Sequence, residues 1–174
     1  MNHEGSRAAG CQLRLAEKGD LLCLQAIEHA ADRLFPPGRL PDPDDVMPLA
    51  ELAKAQDDGL LWVAVLEGAI AGFAVSRVSG DLLHLAEMAV HPDYGRCGIG
   101  TQLLTAVIQQ AVDRNLSGVT LTTFRDIPWN APFYEKRGFR ILSSSELTPM
   151  LCDILTQEKR LGMENRVAMG WDRR

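Results

Sequence analysis

LLHLAEMAVHPDYGRCGIG, residues 82–100, runs an apolar strand into a glycine-rich bend, and a strongly patterned helix opens at Thr101. Gly95, Gly98 and Gly100 stand in G-x-x-G-x-G spacing, which leaves successive backbone N–H groups unobstructed where a helix's positive end would point. Such a bend suits a diphosphate. Beyond it, Ile99, Leu103, Leu104, Val107, Ile108, Ala111 and Val112 recur at steps of three and four, the mark of a helix with one buried stripe. A dinucleotide-binding fold would place G-x-G-x-x-G directly after its strand, whereas His91, Pro92, Asp93 and Tyr94 intervene here and the glycine order is reversed. A P-loop needs Gly-Lys-Ser/Thr at the helix start, and Gly100 is followed by Thr101 with no lysine between.

The segment VHPDYGRCGIG resembles motif A of the GNAT acetyltransferase superfamily: a strand, a His/Asp-Pro turn, an aromatic, then Q/R-x-x-G-x-G/A opening a helix. Gly95 occupies the Gln/Arg position and Arg96 follows one residue later. The resemblance implies acetyl-CoA held by main-chain groups of Gly95, Arg96, Cys97, Gly98, Ile99, Gly100 and Thr101, with the Arg96 side chain assisting. Cys97 reads as a small residue fitting the loop and receives no catalytic role.

Further along, NAPFYEKRGF, residues 130–139, is similar to the N-x-x-A/P-x-x-F-Y-x-K-x-G-F element of the same superfamily. Asn130 can cap a short helix, Pro132 is tolerated in its first turn, and Gly138 can end it left-handed before Phe139 starts a strand. By the resemblance, Asn130 and Phe133 also touch the coenzyme, so Asn130 has two open roles. Tyr134 is either an amphipathic core residue or, as the resemblance implies, the general acid.

An amine acceptor, with a pKa of about 10.4 if lysine-like, must lose a proton before attacking a thioester. A phenol of pKa about 10 can donate to the departing thiolate, which is the task for Tyr134. The carbonyl oxygen needs fixed N–H dipoles, which a locally interrupted strand can spare; Met88, Ala89 and Val90 are the candidates. Glu87 is a carboxylate in an apolar strand, and alternation places it on the face of Leu85, Ala89 and His91. Burial beside the coenzyme would raise its pKa into the range of a base acting through water; the competing reading is a strand charge paired with an arginine. His84 and His91 are rival bases, His91 in an exposed turn and His84 further from the bend.

The chain has 174 residues and a net charge of -5, with a pI near 5.3. That length fits one domain, expected over 12–174 behind a flexible tail at 1–11. The acidic balance argues against nucleic acid and favours a cationic acceptor. Cys11, Cys23, Cys97 and Cys152 lie far apart with no matching histidine spacing, so neither a metal site nor a disulfide framework is expected and a cytoplasmic location fits. No apolar run approaches the ~18 residues needed to span a bilayer.

Along the chain, strand one is expected at Gln12 to Leu15 and helix one at Gly19 to Leu34 with Asp20 as cap. A proline-dense loop, FPPGRLPDPDDVMP, precedes helix two at Val46 to Gln56. In the superfamily this region shapes the acceptor site, so Glu28, Asp32, Phe35 and Asp42, Asp44 and Asp45 are acceptor candidates or simply a solvated loop. Strands two and three at Leu60 to Leu66 and Ile70 to Val78 flank a Glu67-Gly68 hairpin, strand four is Leu82 to Val90, and strand five is Val119 to Phe124, parallel to strand four. Where such strands part, a crevice opens for a pantetheine arm, with Thr123, Phe124 and Trp129 on its far wall or in the core. Ile141-Leu142 begins strand six, Leu147 to Leu161 is helical, and Arg166 to Trp171 is a final strand whose apolar face can support a homodimer. The expected fold is α/β: a mixed, mostly antiparallel sheet of six or seven strands flanked by helices. The expected function is transfer of acetyl from acetyl-CoA to a small-molecule or peptide amine by direct attack in a ternary complex. The alternative is a catalytically silent CoA-binding module.

Overall fold

The computed structural model describes residues 10–173. Residues 1–9 of the expected tail fall outside the described residues, while Cys11 packs against the main apolar cluster. The elements run β1 (Gln12–Leu15), α1 (Leu21–Asp32), α2 (Leu49–Asp57), β2 (Leu61–Leu66), β3 (Ala69–Ser79), β4 (Leu82–Val90), α3 (Ile99–Asp113), β5 (Gly118–Phe124), α4 (Ala131–Glu135), β6 (Arg140–Ile141), α5 (Pro149–Arg160) and β7 (Arg166–Asp172). They build a seven-stranded sheet in the order β1-β2-β3-β4-β5-β7-β6. Its one parallel pair is β4 with β5, as the helical crossover through α3 requires.

The β2–β3 hairpin turns at Glu67 and Gly68, with φ 53 and 81, the double left-handed geometry that matches the twist of flanking strands. Alternation then divides the apolar residues between two faces. On one, Leu103, Leu104 and Val107 of α3 meet Ala64, Ala74, Leu83 and Leu121. On the other, Leu24 and Ile27 of α1 and Leu52 of α2 cover Val63, Phe73 and Ala89. Each such fully buried Leu or Phe contributes about 1.5–3 kcal/mol, so both faces are anchored. α5 lies against β5 and β7, its Leu151 fully buried.

Three local expectations change. Asp20 does not cap α1; its carboxylate accepts from Arg14 at 2.6 Å and from the Glu17 N–H at 2.7 Å, the stronger, charge-assisted option. α2 starts three residues after Val46 because Pro48 stands at its N-cap, where extended backbone suits proline and its carbonyl receives the Glu51 N–H. Asn130 does not cap α4. Its Oδ1 instead accepts from Thr123 Oγ1 at 2.9 Å and the Phe124 N–H at 3.3 Å, tying the loop back to the end of β5.

Candidate active site

β4 and β5 pair only from Leu82–Gly118 to His84–Thr120. Beyond that point β4 stays paired to β3 alone, and its other edge faces a gap. Opposite Val75 and Ser76 the register slips, so that Glu87 and Leu85 are partners and Ala86 is an extra residue. This bulge inverts the alternation. Leu85 therefore joins the α3 face while Ala89 joins the α1 face, and the expectation that Glu87 shares a side with both is corrected: it shares Ala89's.

The bulge and the parting of the strands expose main-chain donors. The Met88 N–H donates to Glu87 Oε1 at 3.0 Å, whereas the His91 N–H goes to Ala71 O on β3 at 2.8 Å. Since successive amides of a strand point to opposite edges, Val90 shares the open edge with Met88, and Ala89 turns its amide to β3. Ala89's contribution is thus to the cover beneath Glu87.

Glu87 lies among carboxyls. Burial first, then the neighbouring charges of Glu28 and Asp32 on α1, push its pKa up to about 8. The same burial lifts Glu28 to about 7 and Asp32 to about 6. Glu87 still keeps some surface open to solvent. The arginine pairing considered as an alternative goes elsewhere: Arg166 on β7 binds Glu158 Oε1 at 2.7 Å and only moderates Glu87 from a distance. Glu28, 4% exposed, accepts the Met47 N–H with both carboxylate oxygens at 3.0–3.1 Å, closing the end of the 33–48 loop onto α1.

Tyr134, on α4, lies near enough to Glu87 to feel its charge. Its ring is wedged edge-on between Phe133 and Phe139, with centroids at 5.1 and 5.7 Å. Burial and the Glu87 charge hold its pKa above the usual phenol value, so it stays a proton donor. Its hydroxyl has no hydrogen-bond partner among the described residues. His84, the rival base, is buried at the last paired position of β4 with Nδ1 3.1 Å from Thr120 Oγ1; burial lowers its pKa to about 4, which keeps it neutral. His91 is spent on its own turn, Nδ1 accepting the Asp93 N–H at 3.2 Å.

At the glycine bend, Gly95 donates to Pro92 O at 3.0 Å, and both Arg96 and Gly98 are left-handed, with φ 60 and 76. Cys97 is buried, its thiol directed to Gly95 O at 3.5 Å. The first intrahelical bond of α3 runs from the Gln102 N–H to Gly98 O. The preceding amides, Gly98, Ile99, Gly100 and Thr101, have no backbone acceptor among the described residues, the normal state of a helix start and the donor set an anion needs. A methyl on Gly100 would sit 3.5 Å from Phe133, so bend and α4 are in van der Waals reach.

Phe35, one of the acceptor candidates, meets the two aromatic residues expected on the crevice wall or in the core. Phe35 packs against Phe124 at 5.7 Å and against the half-exposed Trp129 at 5.9 Å. Phe124 is sandwiched between Arg39 and Arg166, whose guanidinium carbons lie 5.0 and 4.5 Å from the ring centre. Arg39 also pairs with Asp126, which clamps the 33–48 loop to the end of β5. Beside this clamp the loop encloses a recess of about 370 Å³ whose wall includes Asp32, Phe35 and Asp44. Glu28 stands apart from the aromatic group, on the carboxyl side with Glu87.

Arg39, Asp126, Arg137 and Arg166 escaped the sequence reading. Arg137 lies inside the NAPFYEKRGF element, the only local signal any of them carried.

The chain matches the model of the Acetyltransferase (GNAT) family over residues 24–139. It is 29% identical over 110 residues to a probable N-acetyltransferase, camello, of Xenopus tropicalis, covering 62% of this chain and 50% of that protein, so it spans about half the length of that relative. Its fold is similar to the ribosomal-protein-S18-alanine N-acetyltransferase of Escherichia coli, with TM-score 0.68, 23% identity and 93% of each chain covered. It also resembles N-acetylglutamate synthase from Neisseria gonorrhoeae, solved with coenzyme A and N-acetyl-glutamate, with TM-score 0.71, 19% identity, and 93% of this chain but 35% of that one covered. With the family model spanning both motifs and the split between β4 and β5, this chain belongs to the GNAT acetyltransferase family.

Proposed function

We propose that this protein is an acetyl-CoA-dependent N-acetyltransferase that acts on a primary amine by direct attack in a ternary complex. The observation that carries the reading is the convergence of Glu87, Tyr134 and the open-edge amides of Met88 and Val90 where β4 leaves β5. The residues present fit the coenzyme: unpaired amides from Gly98 to Thr101 suit its diphosphate, and the gap between the strands suits an extended arm.

Acetyl-CoA supplies the activated acyl group. Glu87, poised near pH 8, takes the proton of the ammonium acceptor directly or through a water. The Met88 amide exchanges its bond to Glu87 for the thioester oxygen, beside that of Val90, and fixed dipoles there favour developing negative charge. The unpartnered Tyr134 hydroxyl hands its proton to the departing sulfur. Holding both reactants in attack geometry contributes up to about 7–11 kcal/mol of barrier reduction.

A cationic acceptor suits the carboxyls of Glu28, Asp32 and Glu87, entering by the recess that Asp32 and Phe35 line, with Phe35 and the half-exposed Trp129 beside it taking its apolar part and the buried Phe124 supporting them from the core. Among the described residues no helix is long and apolar enough to cross a membrane, and four unpaired cysteines suit a reducing compartment. Thiol release from acetyl-CoA, measured against a panel of polyamines, amino acids, aminoglycosides and peptide N-termini, tests the reading. Amine-dependent release supports it; coenzyme binding with no release from any member leaves the silent-module alternative in its place.

A further inference from the structure

We propose that Arg137 anchors a phosphate of the coenzyme, an inference that rests on the acetyl-CoA reading above. Arg137 follows α4, yet its guanidinium is carried back to the first turn of α3. Nε and Nη2 donate to Thr101 Oγ1 at 3.0 and 2.6 Å, Nη1 donates to Phe133 O at 2.7 Å, and the guanidinium carbon lies 3.6 Å above the Phe133 ring.

Two features make this placement informative. The group is half-buried and makes no ion pair with any carboxylate among the described residues; burial is the main influence on it, lowering its pKa, and Tyr134 is its sole charge partner. By contrast, Arg14, Arg39, Arg140 and Arg166 each pair with a carboxylate. Moreover, Arg137 adds positive charge at the end of α3 that is already positive, where a helix favours anions and disfavours cations. Its hydrogen bonds and the Phe133 ring fix the guanidinium there, but no carboxylate among the described residues neutralises its charge. An anion bound at the bend would be complementary to both.

The donor arithmetic agrees. A guanidinium has five N–H groups, and three are engaged by Thr101 and Phe133, which leaves one on each terminal nitrogen. Planar stacking on Phe133 and a double hold on Thr101 lock the fork in place, so an incoming phosphate meets a pre-set donor pair. Phe133, expected from sequence as a coenzyme contact, thereby also serves as the shelf that fixes Arg137.

The test compares wild type with Arg137→Gln and Arg137→Lys on acetyl-CoA and on S-acetyl-pantetheine, which lacks every phosphate. Arg137→Gln should raise the KM for acetyl-CoA roughly ten- to a hundredfold, the loss of charged hydrogen bonds to phosphate, with kcat within about twofold. Arg137→Lys, which keeps charge without the fork, should recover part of that loss. With S-acetyl-pantetheine all three proteins should perform alike. Acetyl-dephospho-CoA separates the sources: a loss that persists places Arg137 at the diphosphate, and a loss that vanishes places it at the ribose phosphate. An unchanged KM for acetyl-CoA in a folded variant, or an equal loss with the phosphate-free thioester, overturns the inference while leaving the acetyltransferase reading intact. Failure of the wild type to bind acetyl-CoA by calorimetry would remove that reading first.

Discussion

Replacing Glu87 with Gln should make the protein more stable at alkaline pH while slowing its chemistry. The carboxyl is displaced from 4.5 to about 8, chiefly by burial and then by Glu28 and Asp32. A carboxyl with a raised folded-state pKa contributes its full stability below the unfolded value and loses it as pH rises through the folded value. At about 1.36 kcal/mol per pH unit, the displacement of an isolated group would correspond to roughly 5 kcal/mol. Glu87 is neither isolated nor dry. Glu28 and Asp32, raised to about 7 and about 6, share the titration, and solvent reaches part of Glu87, so about 1–2 kcal/mol is the expected gain at pH 9. Gln retains an oxygen for the Met88 N–H, which keeps the local geometry. Urea midpoints of both proteins at intervals from pH 5 to 9.5 give the measurement. Their difference should be small at pH 5 and widen through pH 8, and because carboxylates such as Asp20 and Glu146 are common to both, they cancel. A stability difference that does not vary with pH would refute the reasoning. In parallel, the ascending limb of the wild-type pH–rate profile near pH 8 should disappear in the variant.

Tyr134→Phe should lower kcat at least about a hundredfold, the usual worth of a general acid, and leave coenzyme affinity within about twofold by calorimetry. Gly72→Ala would bring a methyl to 2.7 Å from Ala89 O, a backbone atom that cannot yield cheaply; about 1–3 kcal/mol should be lost in denaturation, and turnover should fall because β4 is pushed just past Glu87. Arg39→Ala frees Asp126 and one face of Phe124, so KM for the amine should rise several-fold while coenzyme affinity holds, as a two-substrate kinetic matrix would reveal.

How much of this was legible in sequence follows from the distances over which its causes act. The strand into 82–90, the stripe of α3 and the Glu67-Gly68 turn are properties of neighbouring residues, and the structure places all three where local pattern puts them. The parallel pairing of β4 and β5 was also readable, because a helix between two strands has one economical return path. The bulge at Ala86 was not. It is a slip against β3, set by the partner's register, and nothing in LLHLAEMAV announces it. Of the two roles open to Asn130, the cap falls for a similar reason: its type suits one, but Thr123 and the Phe124 amide compete successfully for the same oxygen. Arg39 with Asp126 and Arg137 with Thr101 are separated by 87 and 36 residues, and no periodicity links such partners.

The bulge explains how one strand can present both the proposed base and the proposed dipole. In an unbroken β4, the side chain at 87 would share a face with Leu85, against α3 and away from Glu28 and Asp32. One inserted residue reverses that face for everything after it, which sets Glu87 among the α1 carboxyls and turns Met88 and Val90 toward α3. The same insertion bends β4 where its pairing with β5 has just stopped at His84, so the amides that would have joined a ladder open on the gap instead. A raised carboxyl and spare donors therefore have a common origin in register. Side-chain replacement at 87 alters the first without the second, whereas pressure on the backbone from Gly72 disturbs both.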